Sequence, residues 1–139
     1  EITSLGTAAG IVDSVKPGGL VAIGTKLDPA MTRSDSFIGS VIGKPGTLPE
    51  NSTQIKLEVN LFDSAVGAAE DIKVLPIQIG ESLRLNIGTA PILGKVLKLK
   101  SNVIDIELRR PACIFEGGKV AISRRITDRW RLIGAGILG

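Results

Sequence analysis

Histidine and tyrosine are missing from this sequence, and cysteine occurs once, at Cys113. Those gaps exclude His–Cys zinc sites, a serine or cysteine nucleophile served by a histidine base, and any disulfide framework. No window approaches eighteen uninterrupted apolar residues, so no membrane span is expected. Aromatics are scarce: Phe37, Phe62, Phe115 and Trp130. Proteins that hold single strands by stacking bases need more such platforms, so any contact with RNA would run through backbone charge and shape. Cys113 lies between Ala112 and Ile114, the setting of a core thiol.

Hydrophobic residues make up 43% of the 139 residues and mean hydropathy is +0.28, enough to bury a core and to exclude wholesale disorder. The charge is uneven. Residues 1–94 hold seven Lys and Arg against ten Asp and Glu, a net of −3; residues 95–139 hold ten against four, a net of +6. The basic part contains Arg109, Arg110, Arg124, Arg125, Arg129 and Arg131, the last two flanking Trp130. Arginine forks match phosphate oxygens, which makes this segment a candidate nucleic-acid face. The plainer reading is a solvated barrel exterior, with cross-strand partners in Asp105, Glu107 and Asp128 and with Trp130 packed in the core or at the rim.

The dominant period is two. Residues 54–61 alternate strictly and put Ile55, Leu57, Val59 and Leu61 on one face. Residues 82–87 and 104–109 repeat the pattern. Ser101-Asn102 joins two runs as a hairpin turn, Gly117-Gly118 opens a strand over 119–124, and Thr127-Asp128 turns the chain into 130–138. No segment sustains a capped helical pattern, although residues 64–72 allow two turns. Short strands at about ten-residue spacing predict an all-β antiparallel barrel or sandwich. The stretch 43–49, Gly-Lys-Pro-Gly-Thr-Leu-Pro, reads as a linker, which divides the chain into 1–49 and 50–139. The first part is small for an independent barrel and is expected to lack part of its sheet. The chain opens Glu1-Ile2-Thr3 with no basic-then-apolar leader, and it reads as a piece of something longer.

Chemistry is thin. Pro17-Gly18-Gly19 lacks the Gly-Lys-Ser/Thr ending of a nucleotide phosphate loop, and Gly134-Ala135-Gly136 sits in a strand-like run. Both are expected to be turns, bulges or points of close backbone approach. The carboxylates are scattered, so no catalytic pair and no metal site is expected.

The motifs Pro17-Gly-Gly-Leu-Val-Ala-Ile-Gly-Thr-Lys-Leu-Asp-Pro29, Thr32-Arg33-Ser34-Asp35, Leu108-Arg-Arg-Pro-Ala-Cys113, Val120-Ala-Ile-Ser-Arg-Arg-Ile126 and Arg129-Trp-Arg-Leu-Ile-Gly134 closely resemble the gamma subunit of translation initiation factor 2. Their style is closer to archaeal than to eukaryotic members. Lys44-Pro-Gly-Thr47 and the closing Gly-Ala-Gly-Ile137 are similar to elongation factor Tu, a more distant relative. The chain departs from the family where an aromatic is common, at Ala135 and near Ser52.

The resemblance implies antiparallel β-barrels of the translational GTPase second and third domains. Residues 1–49 would be the later part of the second domain and 50–139 the whole third. GTP and magnesium would belong to an upstream domain outside these residues, so no cofactor and no enzymatic activity is expected of the segment itself. Family members carry methionylated initiator tRNA to the small ribosomal subunit as a heterotrimer with alpha and beta subunits, in the cytoplasm and without a membrane. By the resemblance, Gly18, Gly19, Leu20, Val21, Ile23, Gly24 and Thr25 are candidates for the tRNA acceptor end. An ordinary strand after a tight turn would look the same. Asp28, Arg33 and Asp35 are candidates for docking the alpha subunit, and the six arginines for RNA phosphates. The rivals are a selenocysteine-specific elongation factor-like tRNA carrier and a β-barrel scaffold that binds only proteins.

Overall fold

The computed structural model describes residues 1–67 and 71–139, which divide into two compact units, Glu1–Phe37 and Ile38–Gly139.

The first unit is an antiparallel sheet of three strands, β1 (Ile2–Thr7), β2 (Gly10–Val12) and β3 (Ala22–Thr25), with β1 in the middle. Thr3 is the extra residue of a bulge in β1, since Ile2 faces Thr25 while Ser4 faces Gly24. A 3-10 segment follows at Pro29–Asp35. None of the described residues 1–50 is buried, and Ile2, Ile11, Leu20, Leu27 and Met31 all stand largely in solvent. Such a sheet has apolar side chains but no core of its own.

The second unit is a closed barrel. Its strands are β4 (Asn51–Val66), β5 (Ser82–Ile87), β6 (Ala90–Lys100), β7 (Val103–Cys113), β8 (Lys119–Ile126) and β9 (Arg129–Leu138). Around the barrel they run β4-β7-β6-β5-β8-β9, all antiparallel. The period-two pattern explains the core. Leu57, Leu83, Leu85, Val96, Ile104, Ile106, Val120, Ile122 and Ile133 point inward and are fully buried. Each such side chain contributes about 1.5–3 kcal/mol relative to exposure.

Regular strands cannot close so small a circle, and bulges supply the bends. The extra residues are Leu97 in β6 and Ile133 in β9, and residues 108–111 form a larger excursion in β7. Gly134 follows Ile133, and a Cβ there would lie 2.5 Å from Asn60 O and 3.0 Å from Leu61 Cα. The close approach expected of this glycine is real, and it lets β9 lie against β4. Ala135 stands on the outer face between Asn60 and Ala121, so the missing aromatic takes nothing from the core.

β4 breaks register after Leu61 and continues to Val66, so the helical turns allowed for 64–72 do not form at Ser64–Val66. The chain returns through Ile72 and Val74, with Ala65 N donating to Ile72 O at 2.8 Å and Val74 N to Asp63 O at 2.9 Å. Residues 68–70 of that expectation lie outside the described residues. The Pro- and Gly-rich stretch 43–49 falls inside the second unit, whose first residue is Ile38.

Candidate functional site

Gly18 and Gly19 have φ of 120° and 74°, a region L side chains rarely adopt, while nothing lies within 4 Å of either Cβ position. Backbone conformation, not crowding, therefore calls for glycine in this loop. The loop holds Leu20 out at 91% exposure, Val21 half-buried, and leads into β3 with Ile23 also exposed. Gly24 has a different reason: a Cβ would collide with the Ser4 hydroxyl at the β1 bulge. The Thr25 hydroxyl accepts from Leu27 N at 3.3 Å and closes the next turn.

Asp28 caps the 3-10 segment, its carboxylate accepting from Ala30 N at 2.8 Å. Arg33 breaks the segment with ψ of 149°, and Ser34 and Asp35 follow with φ of 55°. Arg33 and Asp35 are thus displayed on an exposed kink, while part of Asp28 is taken up locally.

The six arginines do not share a face. β7 and β8 are three strands apart in either direction around the barrel, so Arg109 and Arg110 stand on the wall opposite Arg124 and Arg125. They also lie at opposite ends. The 109–113 part of β7 adjoins the start of β4, whereas Val66, at the end of β4, pairs with Leu132 near the β8–β9 tip.

Arg124 departs most from expectation. Its Nε donates to Glu81 Oε1 at 2.5 Å and its Nη2 to Glu81 Oε2 at 3.1 Å. Nη1 reaches Leu75 O at 2.7 Å and Nη2 also reaches Pro76 O at 3.3 Å. Four of its five donors are therefore engaged by the connection between β4 and β5, and the side chains of the pair are only 15% and 20% exposed. This guanidinium is a clamp and is withdrawn from the RNA-phosphate candidates. Arg131, its cross-strand neighbour, is half-buried and donates to Gly67 O in the same connection.

Arg110 donates to Pro91 O at 3.2 Å, and the exposed Arg125 pairs with Asp128 at 3.1 Å, a partner legible in the sequence. Asp105 and Glu107 instead face lysines: Lys56 and Lys98 flank Asp105, and Lys95 faces Glu107. Trp130 lies opposite Arg125 on the outer face and is 36% exposed, a rim position. Among the described residues, Arg109 and Arg129 make no side-chain hydrogen bond or ion pair.

Sequence reasoning missed Glu81, the partner of Arg124. It is 43 residues distant, and only the β5–β8 pairing brings it near. It also missed the neighbours of Arg109 on the outer wall, Thr53, Ser82 and Lys95. Cys113 is half-buried, its Sγ 3.8 Å from Pro49 O. Among the described residues, no three His, Cys, Asp or Glu side chains gather as metal ligands, and no helix is long and apolar enough to cross a membrane.

The described residues thus form a six-stranded antiparallel barrel and a separate three-stranded open sheet, with the candidate residues on loops and outer walls. The family model "Initiation factor eIF2 gamma, C terminal" matches residues 53–138. "Translation initiation factor 2 subunit gamma" of Archaeoglobus fulgidus is 47% identical over 138 residues, covering 99% of this chain and 32% of the relative. Its counterpart in Pyrococcus furiosus is 48% identical over 138 residues, covering 99% and 34%. In Aeropyrum pernix the figures are 47% over 137 residues, 99% and 33%. The chain belongs to the translation initiation factor 2 gamma family and corresponds to its C-terminal part. It spans about a third of the length of the curated relatives it matches.

Proposed function

We propose that these residues form the β-barrel portion of a GTP-dependent carrier that binds methionylated initiator tRNA and delivers it to the small ribosomal subunit. The observation that carries this reading is the 46–48% identity to gamma subunits across 99% of the chain. Residues 1–49 are the later part of the second domain and 50–139 the third, in a cytoplasmic heterotrimer with alpha and beta subunits. GTP and magnesium are bound by the preceding domain, where the hydrolytic chemistry belongs. The role of this segment is conformational: nucleotide state repositions the barrels and so changes affinity for the tRNA end.

Two local features support the assignment of the 18–25 loop. Its glycines bring bare backbone to the surface, where a terminal nucleotide can approach closely, and Leu20 offers apolar surface to a ribose or methionyl group. Asp28, Arg33 and Asp35 remain the alpha-subunit candidates, on an exposed kink suited to a protein partner.

The test is Leu20→Asp in the full-length protein bound to GTP, titrated with labelled methionylated initiator tRNA. The affinity is expected to fall at least about tenfold, roughly 1.4 kcal/mol, with capture of the alpha subunit unchanged. Unchanged tRNA affinity would remove the loop from the site. One observation favours a second reading, a scaffold that binds only proteins: Arg110, Arg124, Arg125 and Arg131 are already engaged by protein atoms. That reading expects alpha-subunit capture with no contribution of the barrel to RNA binding.

A further inference from the structure

Resting on the RNA reading above, we propose that the outer wall of the barrel around Lys95 and Arg109 holds backbone phosphates of RNA. The β7 excursion at residues 108–111 opens a groove of about 390 Å³ on this wall. Thr53 of β4, Ser82 of β5, Lys95 of β6, and Glu107 and Arg109 of β7 line it.

Three observations single out this groove among the basic features of the molecule. Arg109 is exposed and makes no hydrogen bond or ion pair among the described residues, whereas Arg110, Arg124, Arg125 and Arg131 are engaged. Arg129 is equally uncommitted among the described residues, but it sits at the start of β9, beside the hairpin turn; Arg109 lies in a concavity with a second cation and two hydroxyl groups. Arg84 stands opposite Leu93, a further lining residue, and adds positive charge at the groove's edge.

The chemistry suits a phosphodiester. A guanidinium fork meets two phosphate oxygens, an ammonium adds a point charge, and the Thr53 and Ser82 hydroxyls can donate to the oxygens left over. The lining comes from four adjacent strands, β4-β7-β6-β5, which at normal spacing span about 14 Å. A nucleic-acid strand presents several phosphates over that length, at about 3.4 Å each along the duplex axis, so the groove suits a polymer better than one free phosphate.

Glu107 is the counterweight. It stands opposite Lys95 in register, inside the same groove, and forms no ion pair among the described residues. Its carboxylate lowers the local field and repels phosphate, which predicts a weak, salt-sensitive contact that strengthens when that charge is removed.

The test uses the full-length protein and a fluorescently labelled RNA hairpin, followed by anisotropy between about 50 and 200 mM salt. Arg109→Gln and Lys95→Gln are each expected to weaken binding about 3–10-fold at low salt and to lower the log–log salt slope by about 0.9. Glu107→Gln is expected to tighten binding by a similar factor, and Arg129→Gln to leave it unchanged. The two cation variants remove exposed groups, so an unaltered unfolding transition serves as the check on fold. Wild-type binding that Arg109→Gln leaves intact while Arg129→Gln weakens it would overturn the groove and move the contact to the hairpin tip. Absence of wild-type binding at low salt would instead overturn the RNA reading itself. Displacement of the hairpin by inorganic phosphate at matched ionic strength would overturn the RNA assignment in favour of a lone-phosphate site.

Discussion

Replacing Arg124 with methionine tests the clamp between β8 and the β4–β5 connection. The substitution keeps much of the apolar stem and deletes four hydrogen bonds, two of them to a carboxylate. Truncating one member of a fully buried ion pair costs about 3–5 kcal/mol, because the other charge is left desolvated and alone. Here the side chains keep 15% and 20% exposure, and water can reach the exposed carbonyl groups of Leu75 and Pro76 once the arginine is gone. The expected loss is therefore smaller, about 2–3 kcal/mol. In a domain of this size that lowers Tm by about 10–20 °C. Arg124→Lys keeps the charge but not the fork, and should lose about half as much. Adding Glu81→Met to the methionine variant should recover at least about 1 kcal/mol, since it removes the orphaned carboxylate. Urea unfolding of the four proteins measures all of this. A loss below about 0.5 kcal/mol for Arg124→Met, or no recovery in the double variant, would refute the clamp. The same geometry warns against charge reversal at this position as a test of RNA contact. Glutamate at 124 would face Glu81 and unfold the connection, so the reversal belongs at Arg125.

Two further expectations concern backbone geometry in the barrel. Gly134→Ala places a methyl group against Asn60 O and Leu61 Cα, backbone atoms with little freedom to give way, and should destabilise by about 1–3 kcal/mol in thermal unfolding. Loss of less than about 0.5 kcal/mol would mean β4 and β9 separate more readily than their packing indicates. Thr127 and Asp128 both have positive φ, 45° and 62°, in the β8–β9 turn, and a β-branched residue is strained there. Thr127→Asn should therefore stabilise by about 0.5–1 kcal/mol, seen as a rise in Tm; a fall would contradict the turn geometry.

Much of the barrel was legible because a half-buried strand writes its orientation into every second residue. The alternations at 54–61, 82–87 and 104–109 correspond to β4, β5 and β7, and the turns at Ser101-Asn102, Gly117-Gly118 and Thr127-Asp128 lie where those residue types predict. The bulges were not legible, since the sequence cannot show how many residues face one partner residue until the partner is known. Arg124 illustrates the same limit for side chains. Read along the chain it belongs to a basic cluster with Arg125, but successive residues of a strand point to opposite faces, and closure of the barrel carries only Arg124 to Glu81. Pairing between β7 and its neighbours likewise turned Asp105 and Glu107 toward lysines on β4 and β6. The basic face inferred from composition was thus a sum over opposite walls. The loop around Gly18 and Gly19 was easier to read, because its glycines serve local backbone angles that need no distant partner.

The most direct test of the account compares initiator tRNA affinity of the full-length protein in its GTP and GDP states, with the 18–25 loop intact and with Leu20→Asp. If nucleotide state acts on tRNA through this loop, the intact protein will bind more tightly with GTP, and the variant will lose most of that difference. A variant that keeps the full difference between the two states would contradict the claim that this segment grips the tRNA end.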